Sequence, residues 1–157
     1  MNLGDLLNAE TIIPELKAGN RWEAIDEMVS HLVAVGRIKM EHREGITAVV
    51  KKRETSMSTG IGFGIGIPHA STDLVYEVTG VFGRSRTGVK FDSLDNQPVR
   101  LIMMLLVPQG QFQKHLHTLA AIAKLLHSRD FRSALEQAPD AAAMLKIIQN
   151  PTVLQGG

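Results

Sequence analysis

The chain contains no cysteine, which excludes a disulfide framework, a thiolate nucleophile and Cys-ligated zinc or iron–sulfur centres, and fits a reducing compartment. It also lacks an excess of either charge. Seventeen Lys and Arg stand against 16 Asp and Glu, a formal +1, so there is no general electrostatic pull toward nucleic acid or anionic lipid and any anion site must be local. The longest apolar run, Leu101 to Val107, is far short of the roughly 20 residues that span a bilayer. Met1 to Asp5 shows no basic stretch leading into an apolar one, and no repeat, Pro-rich tract or Ser/Gly linker marks a boundary. These absences predict a cytoplasmic, soluble chain with no nucleic-acid partner and no membrane insertion.

What is present is ordinary for a globular protein: 157 residues, 44% hydrophobic and 21% charged. That length suits one domain, which buries roughly 70% of the unfolded chain's surface. The expected domain covers residues 1–149, with a flexible tail over 150–157.

Periodicity predicts a mixed α/β chain. Asn20 followed by Glu23 resembles an N-cap with its return carboxylate, and Trp22, Ile25, Val29, Leu32 and Val33 recur at helical spacing up to Gly36. A second helix is expected from Glu41 to about Arg53, with Ile46, Val49 and Val50 inward and Arg53 where the helix meets a loop. Thr79 to Arg84 and Val99 to Val107 read as strands, the second so continuously apolar that both its faces must be covered. Helices follow over Phe112 to about Leu126, over Phe131 to Gln137, and from an Asp140 cap or a start after Pro139 to near Gln149. The expected fold is a three-layer α/β/α sandwich with a central mixed sheet and helices on both faces.

The informative segment is Ser58-Thr59-Gly60-Ile61-Gly62-Phe63-Gly64-Ile65-Gly66-Ile67-Pro68-His69. Alternation at period two predicts an extended strand with Ile61, Phe63, Ile65 and Ile67 on one face and bare glycine backbone on the other, open to a ligand or another chain. Pro68 would end that strand and present His69 in a defined direction. From spacing alone, a glycine-rich hairpin with an incidental surface histidine remains equally open. The glycines fit neither G-x-G-x-x-G nor a P-loop, because Ile65 and Ile67 fall where the last glycine is needed and no Gly-Lys-Ser/Thr follows.

This run, with Arg53 sixteen residues before His69, resembles the phosphorylation-site signature of the enzyme IIA components of the phosphoenolpyruvate-dependent phosphotransferase system, in the fructose-mannitol and nitrogen-regulatory family. Phe91-Asp92-Ser93-Leu94-Asp95-Asn96-Gln97-Pro98-Val99, Leu105-Leu106-Val107-Pro108 and His115-Leu116-His117-Thr118-Leu119 agree with it in order and spacing. The Asp95 to Val99 and His115 to Leu119 pieces look more like the nitrogen-regulatory branch. The resemblance implies a phosphate-accepting histidine at His69, assisted by His115 and Arg53. It implies a histidine phosphocarrier protein of the HPr or NPr type as donor, and regulatory protein targets or a IIB domain as acceptor. No cofactor and no metal are expected.

The residue chemistry agrees with these roles. A neutral imidazole has one basic nitrogen, and roughly three quarters of an unperturbed histidine is neutral at pH 7. A nearby Arg53 would disfavour the imidazolium and then match phosphate oxygens with its fork of donors. Helix geometry separates His115 from His117 by about 200°, which turns His115 toward the sheet, in the first turn of its helix, and His117 toward solvent. That opposition argues against a zinc hydrolase built on His69, His115 and His117. Ser58 and Thr59 are secondary candidates whose hydroxyls would bond either phosphate or the backbone of the site. Asp92 and Asp95 read as turn residues, and His31, His42 and His127 as structural or solvated.

Overall fold

The computed structural model describes residues 3–151. A short helix α1 (Leu3–Leu6), a 3-10 turn (Ala9–Thr11) and the two-residue strand β1 (Ile12–Ile13) lead into α2 (Arg21–Ala34). Asn20 caps α2 as expected, its Oδ1 accepting from Glu23 N–H at 2.9 Å. The Glu23 carboxylate returns one residue further out than a capping box requires, to the N–H of Gly19. At the other end Gly36 adopts φ +80°. Arg37 N–H reaches Leu32 O and Gly36 N–H reaches Val33 O, closing a Schellman motif. A 3-10 turn (Met40–His42) then precedes α3 (Arg43–Ser56), which buries Ile46 and Val50 and keeps Arg53 in its last turn.

Next come three short strands, β2 (Gly60–Gly62), β3 (Ile65–Gly66) and β4 (His69–Thr72), followed by two long ones, β5 (Thr79–Val89) and β6 (Val99–Pro108). After a 3-10 turn (Gln113–His115) the chain ends in α4 (Leu116–Leu126), α5 (Arg129–Gln137) and α6 (Ala141–Gln149). Ser128 and Asp140 cap the last two helices. Asn150 is the C-cap of α6; of the expected tail, residues 152–157 lie outside the described residues.

The sheet is mixed and runs in the order β1-β5-β6-β3-β2, with β4 also paired to β6. β6 is its spine: antiparallel to β5 on one side, and on the other parallel first to β3 and then to β4. Its two faces serve two cores. Ile102, Met104 and Leu106 pack with α2 and α3, whereas Leu101, Met103, Leu105 and Val107 pack with α4, α5 and α6. Each such side chain, fully buried, contributes about 1.5–3 kcal/mol, which is why the run from Leu101 to Val107 carries no polar residue. The three-layer architecture expected from the sequence is thereby met. Midway along β5, Arg84 is buried and donates to Pro14 O (3.0 Å) and to Leu135 O (2.8 Å) and Ala138 O, so its charge meets the carbonyl end of α5.

Candidate active site

The glycine-rich segment is not one strand. It folds back on itself: β2 and β3 pair antiparallel through Phe63 and Gly64, both with positive φ (58° and 77°), the hairpin turn that period-two spacing cannot distinguish from a straight strand. Asp95 Oδ2 accepts from Phe63 N–H at 3.2 Å and steadies the turn. The expected common face of four side chains is therefore split. Ile65 and Ile67 are buried in the core shared with α4, α5 and α6, while Phe63 stands at the tip, 60% exposed, against the His127 ring and the Arg132 guanidinium.

The bare glycine face is not left for a ligand either. A Cβ on Gly66 would lie 2.9 Å from the Phe91 ring, and one on Gly60 would collide with Ser93. The chain's own 91–95 loop packs there because the glycines allow it.

Pro68 interrupts the path along β6, so β3 stops at Gly66 and His69 opens β4 rather than closing a strand. His69 lies opposite Leu105 in parallel register, so its side chain points to the face of the Gln113–His115 turn and α4. There the ring stacks on Phe112, with centroids 5.9 Å apart and 15° between planes. Nδ1 is 2.8 Å from the carbonyl oxygen of Ile67. A carbonyl only accepts, so Nδ1 carries the hydrogen, and in the neutral ring Nε2 holds the lone pair. Half-burial pushes the His69 pKa below the ordinary histidine value; the Ile67 bond pulls it up, Arg53 pushes it down and Glu54 pulls it up, in that order of size. The net result is a neutral, nucleophilic imidazole at pH 7.

Arg53 and Glu54 thus both act on His69 from the end of α3. Arg53 is half-buried and bonds through Nη1 to Met57 O at 3.2 Å. Glu54 is buried; its carboxylate accepts from Thr59 N–H (2.8 Å), Thr59 Oγ1 (2.7 Å) and Arg21 Nη1 (3.2 Å). Sequence reasoning passed over it. The signal was present, since 46, 50 and 54 form one stripe of α3 and a carboxylate there has no place in an apolar core unless it is paired.

His115 is buried and His117 exposed, as the helical offset predicts. The position of His115 differs from expectation. It closes the 3-10 turn and is the N-cap residue of α4, and its own N–H is already spent on Phe112 O at 3.0 Å. Its Nε2 is buried with no hydrogen-bond partner among the described residues, a costly state that an incoming oxyanion would relieve. The turn that carries His115 also carries Phe112, and so ties it to the His69 ring.

The hydroxyls of Ser58 and Thr59 are engaged within the loop. Ser58 donates to Phe91 O at 2.6 Å and Thr59 to Glu54. Asp95 Oδ1 accepts from Gln97 N–H at 3.1 Å and Asn96 has φ +58°, a turn as read from sequence. Among the described residues, no three His, Asp or Glu side chains are arranged to hold a metal ion, and no helix is long and apolar enough to cross a membrane. A cavity of about 600 Å³ lies elsewhere, lined by Arg37, His42 and Tyr76 among others, and does not include His69.

The family model "Phosphoenolpyruvate-dependent sugar phosphotransferase system, EIIA 2" matches residues 5–151. Among curated relatives, the "Nitrogen regulatory protein" of Bradyrhizobium diazoefficiens is 31% identical over 151 residues, 96% of this chain and 97% of that protein. The "PTS system fructose-specific EIIABC component" of Bacillus subtilis is 36% identical over 148 residues, 94% of this chain but only 23% of that much longer protein. The crystal structure of nitrogen regulatory protein IIA-Ntr from Neisseria meningitidis superposes with a TM-score of 0.83 at 29% identity, covering 93% of this chain and 98% of that one.

Proposed function

Because the chain belongs to the phosphoenolpyruvate-dependent sugar phosphotransferase system EIIA 2 family, whose members are phosphocarriers, we propose that it carries phosphate on Nε2 of His69 as the regulatory IIA component of a nitrogen-related phosphotransferase system. The observation that carries this reading is the Nδ1 contact to the Ile67 carbonyl, which leaves Nε2 as the only free basic nitrogen of a half-buried, neutral ring. The donor is a histidine phosphocarrier protein of the HPr or NPr type. In the step, the lone pair of Nε2 forms the new N–P bond while the donor's N–P bond breaks and its electron pair returns to the donor imidazole. Nδ1 keeps its hydrogen on Ile67 throughout. Such transfer needs alignment and charge stabilisation more than covalent help. Arg53 supplies donors to the phosphoryl oxygens beyond the one held by Met57, and the orphan Nε2 of His115 supplies another. Ser58 and Thr59 support the phosphate secondarily, by fixing the loop.

The nitrogen-regulatory assignment is supported by a relative matched over nearly its whole length and by the high superposition on IIA-Ntr. A second reading, a fructose-type IIA that relays phosphate to a IIB domain, is favoured by the 36% identity to the fructose-specific component. Incubation with phosphoenolpyruvate and the two upstream carriers tests both. One acid-labile phosphate is expected on the wild-type protein and none on His69→Ala; labelling that survives the substitution names the wrong nucleophile. A IIB domain that drains the label selects the sugar relay. Partners captured by only one of the phosphorylated and unphosphorylated forms select the regulatory role.

A further inference from the structure

Glu54 is a buried carboxylate at the inward stripe of α3, and two of its hydrogen bonds hold Thr59, which leads by way of Ile67 to His69. One oxygen accepts from Thr59 Oγ1 at 2.7 Å; the other accepts from Thr59 N–H at 2.8 Å and Arg21 Nη1 at 3.2 Å. The chain continues through the backbone. Thr59 C=O accepts from Ile67 N–H at 3.1 Å, and Ile67 C=O accepts from His69 Nδ1–H at 2.8 Å. Arg21 gives Glu54 its counter-charge and is itself held, with its guanidinium 4.4 Å over the Trp22 ring.

From this continuous path we propose that Glu54 is a positioning residue: by clamping Thr59 it places the Ile67 carbonyl that fixes the His69 tautomer and aims Nε2 at the phosphoryl donor. The inference rests on His69 being the phosphate-accepting residue, and it adds a residue that touches neither phosphate nor the ring. Bidentate engagement of both the amide and the hydroxyl of Thr59 leaves that residue little freedom to rotate. Positioning of this sort matters because a misplacement of about 1 Å costs up to ~100-fold in rate. The Glu54 charge also raises the His69 pKa, opposing Arg53, so the same carboxylate preserves the basicity of Nε2.

The test uses the full chain as Glu54→Ala, Glu54→Gln and Thr59→Val, each read by imidazole ¹⁵N spectroscopy of His69 and by transfer kinetics from the phosphorylated donor. In Glu54→Ala, the single Nδ1–H signature is expected to average toward both tautomers. Its kcat should fall about 10- to 100-fold while KM for the donor stays within about two-fold. Glu54→Gln, which still accepts from the Thr59 amide and can donate to its hydroxyl, should restore both the tautomer and most of kcat. A folded Glu54→Ala protein with the wild-type tautomer and rate overturns the proposal; so does a Glu54→Gln protein as damaged as the alanine variant. Should Glu54→Ala not fold, Thr59→Val decides, because it removes one bond of the clamp from the other side: a shifted tautomer population supports the role, an unchanged one refutes it. The ring spectra need no donor. A wild-type protein that takes no phosphate on His69 would therefore end the phosphocarrier assignment while the spectra still decide whether Glu54 holds the ring.

Discussion

Replacing Arg53 with glutamine separates two contributions that the geometry assigns to one guanidinium. Arg53 lowers the His69 pKa, second to burial among the lowering influences, so Arg53→Gln should move the His69 midpoint upward, by less than burial depresses it. Arg53 also has donors left for a phosphoryl group after its bond to Met57 O. A charge-assisted hydrogen bond contributes about 1.5–3 kcal/mol; its loss corresponds to about 10- to 150-fold in transfer rate. The two effects part with pH. Near pH 8 an imidazole in either protein is neutral, and the midpoint shift no longer matters, so whatever loss remains reports phosphate contact alone. Near pH 6 the variant should lose additional rate through protonation. Rapid-quench measurement of labelled phosphate transfer at both pH values, beside an NMR titration of His69, reads both contributions. Stability should change by under about 1 kcal/mol, since the residue's one internal bond is partly exposed. An unshifted His69 titration together with a wild-type rate at pH 8 would refute both assignments of Arg53.

His115→Ala should slow transfer with little loss in urea-denaturation midpoint, because the buried Nε2 it removes has no partner to orphan; unfolding of this variant would make His115 a packing residue instead. Gly66→Ala should destabilise the fold by about 1–3 kcal/mol, since the new methyl meets a rigid Phe91 ring at 2.9 Å; a neutral result in chemical denaturation would show that the 91–95 loop yields freely. Arg84→Met should cost about 1–3 kcal/mol by leaving the α5 carbonyls uncapped, with transfer kinetics unchanged. The depressed His69 pKa fixes a sign as well. The folded protein binds fewer protons at this site than the unfolded chain, so the His69 contribution makes stability fall as pH drops through 6.5 toward the folded pKa. His69→Ala should flatten that stretch of the stability curve, and an unchanged slope would show that burial does not disfavour the imidazolium.

How much of this is legible in the sequence follows from which physical signals are local. Helix ends are readable because caps are short-range: Asn20, Gly36 and Asp140 each satisfy orphan backbone groups within a turn, whereas Ser128 caps a helix that starts at Arg129, two residues before the expected Phe131. β6 is readable because an unbroken apolar run admits only a strand covered on both faces. The Ser58 to His69 segment reads equally as one strand or as a glycine-rich hairpin, and the hairpin is what forms. Alternation of glycine with apolar residues has the same period in a straight strand and in a two-residue hairpin, and what selects the hairpin, Asp95 on the Phe63 amide and Phe91 against Gly66, lies 32 and 25 positions along the chain. The same remoteness hides Glu54, whose partners Arg21 and Thr59 come from different segments. His115 falls on the expected face but in another kind of turn, because a 3-10 turn and the first turn of an α-helix look alike in sequence.

The charges around His69 explain how a carrier with so little net charge can also be a signal. Arg53 and Glu54 act on His69 with opposite sign, and Glu54 is paired with Arg21, itself 3.5 Å from Asp92, so these four charges balance one another. Phe63, Met57 and Leu94 are exposed on the hairpin and the loops beside it, with the Arg132 guanidinium 5.2 Å from the Phe63 ring. Such exposed apolar groups suit brief contact with another protein and offer little ionic hold that would slow release. Transfer of PO3− to a neutral ring that keeps its Nδ1 hydrogen adds one net negative charge, carried on a phosphoryl group that Arg53 meets with the donors Met57 leaves free. The phosphorylated surface is then locally anionic while the backbone has no reason to move. A partner that discriminates between the two forms must therefore read charge at one point on an otherwise unchanged face, and raising ionic strength should narrow its preference without abolishing its binding to the neutral form. Equal salt sensitivity for both forms would mean that the discrimination comes from a change of shape instead.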